Sequence, residues 1–272
     1  MEQTVQSTKQ WTETKEVRKA RKKLEKAAKT EVQETVPTSF DKKYVFCLKW
    51  GDKYSPDYVN KLHNMVRRNL TIDYEFICFT ENSKGIDPRI TTCPLPNKNL
   101  SGWWFKPWFL SNELGVNGTG LFLDLDLIVF KNINKLFSYE QDSNFVIIRD
   151  FSRVHRASWE KMNSSVFRFK IGKHSHLYDE FDKNSANQSR RYPGDQDWMY
   201  ANIKKFTFWP NEWIQSYKWE MRGRQYLGLV NGKRNFTKPG EPVVKNETSI
   251  AVFHGYPNMH DCIDEWPRRH WY

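Results

Sequence analysis

The chain has 272 residues, enough to bury one large core and hardly two. Its hydrophobic content of 38% is low, and its net charge of +11 favours anionic partners: nucleic acid, an anionic membrane surface or a diphosphate-bearing substrate. The apolar runs at 44–48 and 127–130 are far too short to cross a bilayer, and the amino terminus lacks a signal peptide's apolar core, so a cytoplasmic location is expected.

Residues 1–43 form a charged N-terminal extension rich in Lys, Glu, Gln and Thr. Val17, Ala20, Leu24, Ala27 and Ala28 draw a thin apolar stripe at helical spacing, beside a cluster that includes Lys15, Arg18, Lys19 and Arg21. The segment reads as a solvated helix or flexible linker, or as a basic amphipathic arm in peripheral contact with a membrane or a partner. Beyond Lys43 the texture changes. The run 44–48 (YVFCL) is that of a parallel strand covered on both faces. Residues 55–69 carry Pro56 near their start and Tyr58, Val59, Leu62, Met65 and Val66 at helical spacing. Further strands are predicted at 74–79 and 90–93, a helix over 103–114 stopped by Gly115, one continuous strand over 120–130 (GLFLDLDLIVF), and another strand at 144–148. This alternation predicts an α/β fold with a mostly parallel central sheet flanked by helices, whose ligands bind at the carboxyl ends of the strands. The second half adds strands at 164–169 and 249–253, a helix around 176–181, and many tryptophans and tyrosines that fill a core or stack on sugar rings. Cys47, Cys78, Cys93 and Cys262 show no CxxC spacing and read as reduced packing residues.

Within a strand, residues two apart face the same way, so Asp124 and Asp126 point to one side. Charge inside an apolar run is costly unless paired or metal-bound, and two carboxylates suit Mg²⁺ or Mn²⁺ shared with phosphate oxygens. The bland alternative is a carboxylate pair capping a turn. His254-Gly255 closes the last strand, where a neutral imidazole completes such a site or serves the structure only. Asp195-Gln196-Asp197 is a second Asp-x-Asp, and Asp195 also suits a helix N-cap.

In this order the features resemble the retaining GT-A glycosyltransferases of the glycogenin and bacterial galactosyltransferase type, with related sugar-transferase domains of phage and bacteria. The resemblance runs over most of 44–260 and implies a catalytic domain at 44–272. It places Leu48, Lys49, Trp50, Gly51 and Tyr54 at the nucleotide base, and Thr80 and Glu81 at the base and ribose. Lys106 matches a basic residue that touches the donor sugar, and Asn163-Ser164 a segment that does the same. Asp124-Leu125-Asp126 is the family's donor- and metal-binding run, His254 its third metal ligand, and Gly255 lies against the phosphates. Asp195 and Gln196 correspond to the catalytic run beneath the donor ring.

The resemblance implies metal-dependent transfer of a hexose from a nucleotide-diphosphate sugar, most commonly a UDP-sugar, with retention. The cofactor is Mn²⁺ or Mg²⁺; the acceptor is a glycan, lipid or protein; no nucleic-acid partner is expected. Two departures stand out. The family's diphosphate-gripping lysine is missing from Tyr256-Pro257-Asn258-Met259-His260, so that either Lys131, Arg153 or Arg156 takes over or the donor grip is weak, and Ser165 replaces a glycine. The competing readings are a phosphatase of the haloacid dehalogenase type, with Asp124 as nucleophile, and a non-catalytic module binding glycans or nucleic acid.

Overall fold

Strand β1 (Lys43–Lys49) shows why an unbroken apolar run forms here. Val45 and Cys47 pack into one hydrophobic layer, while Tyr44, Phe46 and Leu48 pack into another on the opposite face of the sheet. The computed structural model describes residues 41–96, 98–224 and 227–272. The expected N-terminal helix and basic arm lie in 1–40, outside the described residues.

Six further strands join β1: β2 (Glu75–Thr80), β3 (Thr91–Cys93), β4 (Thr119–Leu123), β6 (Phe145–Arg149), β7 (Met162–Lys170) and β8 (Thr207–Phe208). Their order is β3-β2-β1-β4-β7-β6-β8. All run parallel except β7, which is antiparallel to β4 and β6. A smaller sheet, β5-β12-β9, is built from β5 (Leu127–Val129), β9 (Ile214–Ser216) and β12 (Ile250–Val252). Strands β10 (Leu227–Val230) and β11 (Lys233–Phe236) make a hairpin. The helices are α1 (Pro56–Asn69), α2 (Asn134–Ser138), α3 (Ser175–Lys183), α4 (Ser185–Arg191), α5 (Asp195–Asn202) and α6 (Glu265–His270). Helix α1 buries the predicted Tyr58, Val59, Leu62, Met65 and Val66 on the Val45 side, and α5 buries Trp198 and Met199 on the Phe46 side. The mostly parallel α/β sheet expected from the sequence is therefore present. No described helix is long and apolar enough to cross a membrane.

Two elements differ from expectation in ways that shape the cleft described below. The predicted strand 120–130 is two strands, β4 and β5, in different sheets. Asp124 donates its amide to Ser165 at 2.9 Å, on the large-sheet side, while Asp126 accepts from the Phe253 amide at 2.8 Å, on the small-sheet side. The acid pair thus occupies the crossing between sheets, which apolar content cannot reveal because both halves are equally buried. The predicted helix 103–114 is a 3₁₀ stretch, Gly102–Leu110, with Pro107 inside it. Proline supplies no amide to a helix interior, and a tighter winding is the outcome.

Gly120 lets β4 lie close to its neighbours: a Cβ there would come within 2.7 Å of both the Phe169 and Phe46 rings. Arg168 on β7 is 1% exposed, and its guanidinium donates to the carbonyls of Leu136, Phe137, Tyr139, Glu140 and Ser143. One side chain therefore closes the loop after α2. Arg168→Leu strands those carbonyls without donors and is expected to cost about 3 kcal/mol or more of stability. Urea unfolding checks this; a loss below about 1 kcal/mol, the range of an ordinary surface change, contradicts it.

Candidate active site

The carboxyl ends of β1 and β4, the entry to β7, the start of α5 and the exit of β12 converge on a cleft of about 350 Å³. Leu48, Trp50 and Tyr54 line it from the β1 side; Asp124, Leu125 and Asp126 come from the sheet crossing; Asn163, Ser164 and Ser165 come from β7. Asp195 and Gln196 come from α5, and His254 and Gly255 from beyond β12. Residues more than 200 positions apart in sequence are thus gathered in one cleft. Of the predicted donor residues, Lys49, Gly51, Thr80 and Glu81 do not line the cleft. Glu81 instead fixes the loop after β1, accepting the Gly51 amide at 2.5 Å.

Lys106 stands at the floor, 7% exposed. Both carboxylate oxygens of Asp124 lie 2.9 Å from its Nζ, which also donates to the Ser164 carbonyl and Oγ at 3.2 Å. Asp195 Oδ2 lies farther off at 3.9 Å, buried and with no hydrogen-bond partner among the described residues. Burial opposes the Lys106 charge, yet Asp124 and Asp195 outweigh it and hold the ammonium above the ordinary lysine range. Burial pushes the Asp124 carboxyl up to about 6; Lys106 pulls it back and Asp126 adds to the rise. Burial raises Asp195 as well, against the pull of Lys106. Asp126 accepts from Tyr54 Oη at 3.1 Å, and burial, then Asp126 itself, keeps that phenol protonated. Three carboxylates thus face a single floor lysine, and the cleft is short of positive charge.

His254 is placed differently from a free third ligand. Its Nε2 is hydrogen-bonded to Ser216 Oγ at 2.7 Å, and its ring stacks on Phe151 at 5.1 Å between centroids. Burial, then Lys218, lowers its pKa to about 3, so the imidazole is neutral. No group of three metal-ligating side chains within reach of one ion occurs among the described residues. The carboxylates of Asp124 and Asp126 nevertheless fit a hard divalent cation, because they lie in one charge-deficient cleft and leave other positions to phosphate oxygens and water.

None of Lys131, Arg153 and Arg156 lines the cleft. Lys131 donates to the Asn246 carbonyl, Arg156 lies over the Trp159 ring, and Arg153 is paired with Glu220 at 3.0 Å. Two lysines missed in the sequence are better placed. Lys53 lines the cleft with its ammonium 4.6 Å from the Tyr54 ring centroid. Its position inside the loop after β1 was the available signal. Lys218 does not itself line the cleft but lies directly behind it: it is 3% exposed, donates to the His254 and Tyr256 carbonyls, and sits 3.5 Å from where a Cβ on the lining residue Gly255 would stand. Burial lowers its pKa to about 8, with Asp126 pulling it back up, so it remains cationic at neutral pH. Lys218 carried no sequence signal, being one lysine in an aromatic run, Tyr217-Lys218-Trp219.

No known family model matches the sequence. No curated protein matches it either. Solved structures do. An active-site mutant of LgtC superposes with a TM-score of 0.56 at 13% identity, over 83% of this chain and 93% of that one. The apo form of the glycosyltransferase GlyE of Streptococcus pneumoniae TIGR4 gives 0.54 at 12% identity, over 80% of this chain and 56% of GlyE. The bifunctional glycosyltransferase WbbM gives 0.52 at 11%, over 83% of this chain and 48% of WbbM. The chain spans about half the length of GlyE and WbbM. LgtC is a galactosyltransferase also solved with donor and acceptor sugar analogues. The chain has the fold of the GT-A-type glycosyltransferases.

Proposed function

We propose that the chain is a metal-dependent glycosyltransferase that moves a hexose from a nucleotide-diphosphate sugar, a UDP-hexose, to an acceptor hydroxyl with retention of configuration. The observation that carries this reading is the convergence of Asp124, Asp126, Lys106, Asp195, Gln196 and Gly255 on one cleft at the strand ends of this fold. In the reaction the bond from the anomeric carbon to the diphosphate oxygen breaks and a bond to the acceptor oxygen forms. The acceptor proton leaves with the diphosphate.

Asp124 and Asp126 would hold Mn²⁺ or Mg²⁺, with His254 as third ligand once its hydrogen bond to Ser216 is given up. The cation supplies Lewis-acid charge at the leaving diphosphate. Each of the other residues has its own task. The Asp195 carboxylate, beside Gln196 in the cleft, would stabilise the positive charge that develops on the sugar ring. Lys106 keeps Asp124 and Asp195 apart as an ordered pair and offers an ammonium to the donor sugar. Trp50 and Tyr54 wall the nucleotide side, their loop set by Glu81.

Lys218 takes the place of the family's missing lysine, supplying charge to the diphosphate from beneath Gly255. Lys218→Met should weaken UDP binding by at least ~10-fold, the scale of one hydrogen bond to a charged group. Lys131→Ala should leave it unchanged. Isothermal calorimetry reads both; equal affinity in Lys218→Met and wild type would remove Lys218 from the donor site.

The function as a whole is tested by thermal shift against nucleotides and nucleotide sugars with Mn²⁺ or Mg²⁺, since a ligand of the native state raises apparent stability. UDP and a UDP-hexose should raise the midpoint only with metal present. No shift with any nucleotide sugar counts against the reading.

A further inference from the structure

Trp103 is 50% exposed, whereas every other described tryptophan is buried or half-buried. Its place follows from the 3₁₀ winding of Gly102–Leu110. Side chains three residues apart in a 3₁₀ turn lie on one edge, about 6 Å apart along the axis. Trp103 and Lys106 share that edge and the cleft, with Lys106 at the floor and Trp103 at the mouth. Phe105 and Trp108, off that edge, and Phe109, one turn further along it, are buried in the core.

The same cleft is lined by Pro193 and Gly194, just before α5, and by Gln196 and Asp197. Gly194 has no side chain, and a Cβ there would stand 3.8 Å from Trp103 Nε1. The indole therefore runs along the entrance to α5. Asp197, two residues on from Asp195, is held by Lys161 at 3.3 Å.

We infer that Trp103 and the Gln196–Asp197 edge form an acceptor subsite for a sugar ring, so that the acceptor is a glycan. This rests on the transferase reading and names its second substrate. A pyranose has a CH-rich face and a rim of hydroxyls. An indole face beside a carboxamide and a carboxylate matches both: the first by apolar contact, the second by hydrogen bonds. A lipid tail would need a continuous apolar channel, and the mouth is instead edged by Gln196, Asp197 and Lys161.

The experiment is a glycan array probed with the tagged full-length chain in the presence of UDP and Mn²⁺. Wild type is compared with Trp103→Ala and Trp103→Phe, and UDP affinity is measured for each by calorimetry. Wild type should bind a restricted set of glycans. Trp103→Ala should weaken that binding by at least ~10-fold, as truncation of an aromatic anchor does, and Trp103→Phe should retain part of it. UDP affinity should stay within about twofold in all three, far less than the tenfold that 1.4 kcal/mol represents. The subsite is overturned if wild type binds UDP but no glycan, as with a lipid or protein acceptor. It is also overturned if Trp103→Ala binds glycans normally, or if UDP affinity falls in parallel, which would put Trp103 on the donor. Failure of wild type to bind UDP would count instead against the transferase reading itself.

Discussion

Asp195→Asn should lower turnover by at least ~10²-fold while changing UDP affinity little, a loss comparable to deleting one electrostatic stabiliser. The structure separates this role from helix capping more clearly than the sequence did. Gly194 is the N-cap of α5, and Asp195 is its first helical residue. Its carboxylate does interact with the Gln196 amide and its own, which asparagine preserves in part. Oδ2, however, is buried without a hydrogen-bond partner among the described residues, 3.9 Å from Lys106. Ser164 and Lys106 are the polar side chains that act on this carboxylate, and it lines the cleft, where a ligand can reach it. Asparagine keeps the shape and removes the charge, so the variant should fold normally. Steady-state kinetics with UDP-hexose, beside calorimetry with UDP, reads the split. Full turnover in the variant would remove Asp195 from the chemistry and leave it a helix-start residue.

A larger loss, ~10³-fold or more, is expected for Asp126→Ala, because a bound metal supplies several kcal/mol of charge stabilisation and each 1.36 kcal/mol is tenfold. The fold should survive: the contact that anchors this position to the small sheet is made by the Asp126 backbone carbonyl, which accepts from Phe253 whatever the side chain. Tyr54 loses the carboxylate it donates to and regains water. Mn²⁺ with UDP should raise the melting midpoint of wild type and not of the variant. Near-normal turnover with metal present would show that the acid pair is not the metal site.

The acid pair and His254 were legible because strand ends carry ligands in parallel α/β sheets, whereas Lys106 and the catalytic reading of Asp195 came from the family resemblance. The first strand and α1 were visible from periodicity. The crossing at Asp124–Asp126 was not, since β4 and β5 are equally apolar and only their partners, β7 and β12, tell them apart. The same-face argument for the two acids assumed one strand. Their shared cleft has a different cause, the turn of the chain between two sheets. The state of His254 was hidden too: its hydrogen bond to Ser216 and its stacking on Phe151 depend on residues far away in sequence. Lys218 and Trp103 escaped notice for a related reason. Each lies in an aromatic run whose pattern reads as core, and only burial and winding single out the exceptional side chain. The phosphatase alternative also weakens, because its motif ends the first strand of that fold and the acid pair here follows β4.

The central claim, donor cleavage at the acid pair, is tested most directly by release of UDP from UDP-glucose and UDP-galactose incubated with the full-length chain. UDP is quantified by chromatography, with Mn²⁺ and with chelator. The account predicts release from at least one of the two sugars with Mn²⁺, none above background with chelator, and none from Asp126→Ala under either condition. Release that persists undiminished in chelator and in Asp126→Ala, or no release from wild type with metal present, would contradict it.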